Sequence, residues 1–536
     1  MSAPQRVENP PSEARADTTR TLVVPEWLAI TGWAVLVGIL AVLLLLYWNG
    51  APYSPDSWRY YELSQTLGGD FFRFSSRHSY QSTEPYAMGC GPLWPVLIGV
   101  TAALTRLGAQ AGLVAAVGCV LATAATLSAL GRRIGVRGLG PIVAVGLLGF
   151  PPFLDEVLSA RTFPLAVLLL SLLLLALVAT DRRPALAWPA AGAAAGGLVL
   201  TRPDTLLAIS LLAALLIIAR RRDWRWFVPA GLVFAIVLVP WAIYGLTHFD
   251  TPFPADNRIV AAAVPQLHAS HVVDVDQVPT YLDDPLGWLA RLARNVPGAV
   301  LETVKGLVLA PTVVATAAAG LLLLRRWRLR GAPRWLLLCL AAVAAFTVQV
   351  TFSELSTGYL ARRYLGLVVL LVLLLAIVLL RRTPMPAALT RPRTGLAVGV
   401  LLLMLPAGWA IGYQLVRVPP QPESLTGGAV EQELRRCQNG TTLTIDPATE
   451  MTRHSALTGR QTAKFPENFA DLSVAQRRDW IATYRIGQLY LPPLPANAEP
   501  DAVRRNWEPL LLLAAAARVT PDPCATTGQL YQVSLR

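Results

Sequence analysis

Apolar runs of bilayer-spanning length dominate this chain and leave few folds open to it. A membrane-crossing helix needs about 20 largely apolar residues. Ten stretches come close to or exceed that requirement, at 27–47, 111–130, 139–157, 163–180, 186–201, 204–219, 227–246, 299–324, 335–352 and 364–380, and an eleventh runs over 395–416. So many runs in 536 residues cannot be hidden in one aqueous core. Only 15% of residues are charged, against about 25% in a soluble protein. A water-soluble enzyme, a disordered chain and a disulfide-stapled secreted domain are therefore excluded. A further apolar stretch, 92–107, opens with Gly91-Pro92-Leu93-Trp94-Pro95 and is short for a span. It is expected to be a re-entrant or juxtamembrane helix.

The net charge of +13 lies wholly in the first 419 residues, because 420–536 carry twelve bases and twelve acids. Positive charge between apolar runs is a membrane pattern, so no nucleic-acid partner is needed to explain it. Basic residues in short loops prefer the cytoplasm. If 92–107 does not cross, 21 Lys and Arg fall in short inner segments; if it does, 18 of these move outside. The first arrangement predicts a cytoplasmic N-terminus and an extracytoplasmic C-terminus. The first apolar run is too long for a cleavable signal and lacks a cleavage site, so it is expected to remain as the first span.

The predicted organisation is a disordered tail at 1–25, an all-α polytopic membrane domain of about eleven transmembrane helices at 26–417 with outer loops 48–110 and 247–298, and a small α/β extracytoplasmic domain at 418–536. In the last, strands are expected over Thr441 to Asp446, Gln488 to Leu491 and Gln529 to Leu535. Helices are expected over Gly428 to Cys437, Val474 to Tyr484 and Ala502 to Val519, the last capped by Asp501. Cys437 and Cys524 are the only cysteines of this domain and form a candidate disulfide in an oxidising compartment. Cys119 and Cys339 lie in spans as inert packing.

Chemistry gathers at predicted outer span ends. After the first span comes Tyr53-Ser54-Pro55-Asp56-Ser57-Trp58-Arg59-Tyr60-Tyr61-Glu62-Leu63, which reads as a capped amphipathic helix suited to the membrane interface. Asp56 there is placed to take a proton from an acceptor hydroxyl, or only to cap the helix. The next outer turn holds Asp155, Glu156 and Arg161, which either form a solvated ion pair, orient an acceptor, or join Asp56 around a divalent cation such as Mg, Mn or Ca. Thr201-Arg202-Pro203-Asp204 offers a phosphate-binding arginine or a structural Arg-Asp bridge. Arg362 and Arg363 stand on the outer side against the charge rule, as phosphate ligands or headgroup anchors. Glu84 and Tyr60 are further acceptor-side candidates. The five histidines, His78, His248, His268, His271 and His454, are read as outer loop residues without metal-motif spacing; His78 and His271 are the ones considered for acceptor or phosphate contacts. No P-loop, GxGxxG or GxSxG motif is present.

The carboxylate after the first span, the Gly-Pro-Leu-Trp-Pro element, the Gly131-Arg132-Arg133 inner loop, the Thr201-Arg202-Pro203-Asp204 turn and Arg362-Arg363-Tyr364-Leu365 together resemble GT-C integral-membrane glycosyltransferases. The nearest kin are polyprenyl-phosphate-sugar-dependent enzymes similar to protein mannosyltransferases and aminoarabinose transferases. Leu457-Thr458-Gly459-Arg460 and Phe465-Pro466 also look like their C-terminal domains. The resemblance implies that Asp56 is the catalytic base and that Arg202 and Arg363 hold donor phosphate, with Arg362 and Arg59 as further candidates. Many members carry paired acids in the first loop, whereas here Asp56 precedes Ser57, and Glu62 and Glu84 follow later. The expected reaction is sugar transfer, with inversion, from a lipid-linked donor to a hydroxyl of a cell-envelope glycan, lipid or protein at the outer face of a bacterial plasma membrane. The alternatives are a lipid-linked sugar flippase and a lipid-linked polysaccharide ligase or polymerase, the latter drawing on Arg258, His268, His271, Arg291 and Arg294.

Overall fold

In the computed structural model of the protein, residues 26–66, 76–77, 91–136, 138–220, 223–249, 285–308, 334–357, 365–380, 392–420, 425, 428–437, 440–444, 448–459, 461–465, 469–492, 500–526 and 529–535 are described. An apolar run cannot leave backbone N–H and C=O groups facing lipid, and helices satisfy them internally. The helices are α1 (Glu26–Tyr47), α2 (Pro55–Gln65), α3 (Leu93–Thr105), α4 (Gln110–Ile134), α5 (Leu139–Leu148), α6 (Pro151–Leu158), α7 (Phe163–Ala179), α8 (Pro184–Thr201), α9 (Leu206–Ala219), α10 (Trp224–Phe249), α11 (Pro285–Val308), α12 (Arg334–Thr357), α13 (Gly366–Leu380) and α14 (Pro392–Arg417). Among the described residues α1, α4, α8 and α10 are each long and apolar enough to cross a membrane, and several shorter apolar helices accompany them. The protein is a multi-pass membrane protein.

Three expectations need correction or restriction. The predicted span 139–157 is two helices, α5 and α6, bent 89° apart. Phe150 precedes Pro151-Pro152 and is extended, at φ −98° and ψ 104°, because a proline pushes its predecessor out of the helical region. The stretch 299–324 begins inside α11, and 309–324 lies outside the described residues. The helix carrying Asp56 is not an interfacial helix: Trp58, Tyr60 and Leu63 are buried as α2 packs against α3 and the C-terminal domain. Helix α3 has 13 residues, about 20 Å at 1.5 Å per residue, short of a bilayer crossing.

The C-terminal domain adds α15 (Ala429–Arg436), α16 (Ala448–Thr458), α17 (Val474–Thr483) and α18 (Pro500–Ala514) to a six-stranded sheet. Its strands are β1 (Ser76–Arg77), β2 (Thr441–Thr444), β3 (Thr462–Lys464), β4 (Ile486–Tyr490), β5 (Arg518–Pro521) and β6 (Leu530–Ser534), in the order β1-β3-β2-β4-β6-β5. The inner pairs β3–β2 and β2–β4 are parallel, and β6 runs antiparallel to both β4 and β5. The predicted helix 502–519 ends at Ala514, and its last residues open β5 instead. It starts at Pro500, so Asp501 sits in the first turn and not at the cap. Edge strand β1 comes from the segment between α2 and α3, pairing Ser76 with Thr462 and Arg77 with Ala463. Cys437 and Cys524 are disulfide-bonded, with Cα atoms 5.6 Å apart.

Candidate active site

Asp56 occupies the first turn of α2, where the unpaired N–H groups and the positive end of the helix dipole favour a carboxylate. The turn that carries it is fixed locally and at long range. Ser54 caps the helix in a reciprocal box with Ser57: the Ser54 hydroxyl accepts from the Ser57 N–H at 3.3 Å, and the Ser57 hydroxyl accepts from the Ser54 N–H at 3.1 Å. Just ahead, the Tyr53 phenol donates to the Ala109 carbonyl at 2.6 Å, and burial pushes its pKa up, so it stays a neutral donor. Arg161 Nε then donates to Ser54 Oγ at 2.9 Å.

Arg161 is the hub between the first loop and α6. Its Nη1 reaches Glu156 Oε1 at 2.9 Å and Asp155 Oδ2 at 3.2 Å. Neither acid lies on a solvated loop: both are on α6, and the Glu156 side chain is 1% exposed. The 89° bend after α5 sets this short helix out of the line of α5. The residue before Arg161, Ala160, is held in the left-handed region at φ 51°, a conformation that costs a non-glycine residue about 1–2 kcal/mol. Trp94 Nε1 of the Gly-Pro-Leu-Trp-Pro element holds it there, donating to the Ala160 carbonyl at 2.8 Å, and Gly112 makes room for it, since a Cβ there would lie 2.9 Å from the Ala160 Cβ.

The third turn adjoins the second. Arg202 spreads over the Phe163 ring, 4.2 Å from its centroid, and reaches Thr162 Oγ1 at 3.4 Å. Its Nε and Nη2 grip Asp204 bidentately at 3.1 and 2.8 Å. Gly91 abuts the end of α8: a Cβ there would fall 1.6 Å from the Leu200 carbonyl oxygen. The motifs around 53–57, 91–94, 155–161 and 201–204, separated by up to 150 residues, thus converge at one end of the bundle.

Two residues that the sequence reading passed over complete the arrangement. Gln349 of α12 donates to Asp204 Oδ2 at 3.2 Å, and Gln414 of α14 donates to Asp155 Oδ1 at 2.8 Å. Both are buried, and a lone amide inside an apolar helix was the signal that could have found them. The first-loop acid Glu62 turns the other way, accepting from Ser455 of α16 at 3.1 Å. His454 is not a loop residue; it is buried on α16 with Nδ1 2.9 Å from Glu431 Oε1. Burial raises the Glu431 pKa, but the His454 hydrogen bond, the His454 and Arg453 charges and the Gly428 N–H outweigh that and hold it at about 2.

Arg59 and Tyr60 are buried on α2, with Arg59 one turn beyond Asp56. Glu84, His271, Arg362 and Arg363 lie outside the described residues, as do the ligase-type candidates Arg258 and His268. The expected cation set is not assembled: Asp155 and Glu156 are engaged by Arg161, and among the described residues Asp56, Asp155 and Glu156 do not converge to coordination distance. The group that does converge is Cys437, Asp522 and Cys524, whose sulfurs are bonded to each other and so supply no thiolate. Asp522 instead accepts from Gln488 Nε2 at 2.8 Å and the Cys524 N–H at 3.0 Å.

Compared with solved structures, this chain has the fold of GT-C glycosyltransferases. Among solved structures it is similar to ArnT, the aminoarabinose transferase, from Cupriavidus metallidurans bound to undecaprenyl phosphate, with TM-score 0.56 and 16% identity over 95% of this chain and 98% of that one. It is also similar to the archaeal oligosaccharyltransferase AglB from Archaeoglobus fulgidus in complex with an inhibitory peptide and a dolichol-phosphate, with TM-score 0.54 and 11% identity over 95% of this chain and 74% of that one. No protein-family model matches the sequence, and no curated protein matches it.

Proposed function

We propose that the protein transfers a sugar from a polyprenyl-phosphate carrier to an acceptor hydroxyl on a cell-envelope glycan, lipid or protein, with inversion at the anomeric carbon. The observation that carries this reading is the pinned turn: Ser54 and Arg161 lock the start of α2, so that Asp56 is presented on a preorganised helix end beside the Arg161 and Arg202 turns. In the proposed mechanism the Asp56 carboxylate accepts the proton of the acceptor hydroxyl as that oxygen attacks the anomeric carbon. The bond from that carbon to the phosphate oxygen breaks, and the carrier phosphate leaves with the electron pair. Arg202, oriented by Asp204 and Gln349, and the outer Arg362 and Arg363 stabilise that phosphate; Arg59 is a further candidate. A single well-placed donor is worth about 3 kcal/mol in such a site. Asp155, Glu156 and Arg161 shape the acceptor side together with Tyr60, Glu84 and His271.

The fold neighbours support a lipid-phosphate donor, since one holds undecaprenyl phosphate and another dolichol-phosphate. The proposed setting is a bacterial plasma membrane, with the N-terminus cytoplasmic and the C-terminal domain outside, where sugar nucleotides are not expected. The test is incubation of the purified protein with a panel of radiolabelled polyprenyl-phosphate sugars and a cell-envelope fraction. Label entering the envelope fraction with release of carrier phosphate is expected from at least one donor. Lipid movement across vesicles with no sugar released would replace this reading with a transporter.

A further inference from the structure

At the end of the bundle remote from Asp56, helices α4, α7, α8, α9 and α12 line a half-open cavity of about 860 Å³. Its location follows from chain direction. α7 begins at Phe163, beneath Arg202, and reaches the cavity at Leu177, about 21 Å further on at 1.5 Å per residue. α4 starts against Tyr53 and reaches it at Arg133.

The cavity has two kinds of wall. Leu177, Trp188 and Leu338 represent the apolar part, and the charged part is Arg133, Arg182, Arg220, Asp181 and Asp223. Arg220 is committed: it donates to Thr180 Oγ1 at 2.7 Å and Asp181 Oδ1 at 3.0 Å, and lies 3.8 Å from Asp223 Oδ2. Both acids are thereby engaged. Arg133 and Arg182 are exposed and make no ion pair among the described residues. The preference of positive loops for the cytoplasm accounts for arginines at this end, but not for the recess with an apolar wall that they border.

We propose that this cavity binds a lipid phosphate with a net anionic headgroup, in the leaflet opposite the candidate active site. Two guanidinium groups match a phosphate bidentately, and the apolar walls match a hydrocarbon chain. A zwitterionic headgroup is disfavoured, because the two acids that could receive an ammonium already pair with Arg220. A nucleotide is disfavoured too, because Trp188, the lining aromatic, is already packed on Phe227 with ring centroids 4.6 Å apart. This assignment does not depend on the transfer reaction.

The test uses the full-length protein in nanodiscs with a diazirine-bearing phosphatidylglycerol, followed by peptide mapping. Adducts are expected to concentrate within 177–188 and 215–223. They should fall about tenfold in Arg133→Gln/Arg182→Gln, the loss of two charge-assisted contacts. They should also fall in Arg133→Lys/Arg182→Lys, which keeps the charge that sets insertion and removes the bidentate fork. Competition by unlabelled phosphatidylglycerol or by undecaprenyl phosphate supports the site and says which lipid is preferred. Adducts spread evenly over the lipid-facing helices, unchanged in both variants, or competed equally by phosphatidylcholine or inorganic phosphate would overturn it.

Discussion

A carboxylate in the first turn of a helix interacts favourably with the N–H groups and the positive dipole end there, and Asp56 occupies that position. The position of Asp56 after the first span is legible because Ser at the N-cap followed by Pro at the first helical position favours a helix start. The pinning of Ser54 by Arg161 is not, since no local pattern reports a contact across 107 residues. Glu431 carries a pH prediction. Its carboxyl ordinarily titrates near 4.5 and in the folded protein near 2, so the unfolded chain takes up its proton first as the solution is acidified. The stability from this contact is therefore complete above about pH 4.5 and is lost as the pH falls toward 2. Hydrogen exchange over 429–458 should show that region loosening across this window in the native protein, with a flatter profile in Glu431→Gln. Identical profiles would remove the His454–Glu431 pair from that role.

At the scale of elements, apolar length located α1, α4, α8 and α10 from the sequence but misread 139–157, because hydropathy summed along a run does not register the break at Phe150-Pro151-Pro152. That break turns α6, with Asp155, Glu156 and the Arg161 that follows them, out of the line of α5. Close contact between elements gives a second prediction. In Gly91→Ala the new Cβ would meet the backbone oxygen of Leu200, which no rotamer change relieves, so the start of α3 must part from the Arg202 turn. Thermal unfolding in detergent should show a substantial loss of stability. Gly38→Ala, with nothing within 4 Å of the added Cβ, should stay within about 0.5 kcal/mol of the parent. Equal behaviour of the two would contradict the packing described. Gln414→Leu should cost about 2 kcal/mol, the worth of a hydrogen bond to a charged group whose partner is left partly buried. An unchanged unfolding midpoint would mean that Asp155 does not need it.

Across the whole molecule, the membrane bundle and the C-terminal domain are joined at several points. β1 of the first loop extends the C-terminal sheet, Ser455 donates to Glu62 of α2, and the Tyr47 phenol at the end of α1 donates to the Val418 carbonyl at 3.1 Å. Sequence patterning showed the two parts but not their connection, because a two-residue strand and single side-chain contacts leave no periodic trace. The consequence is that α2, the bearer of Asp56, is clamped between the bundle and the C-terminal domain. The central claim is that this one carboxylate performs the chemistry. Its most direct test is the rate of carrier-phosphate release from a polyprenyl-phosphate sugar by parent and Asp56→Asn protein, with equal folding verified by matched unfolding midpoints. A fall of roughly 10²–10⁴-fold is expected on loss of a general base; release at the parental rate by a folded Asp56→Asn protein would contradict the account.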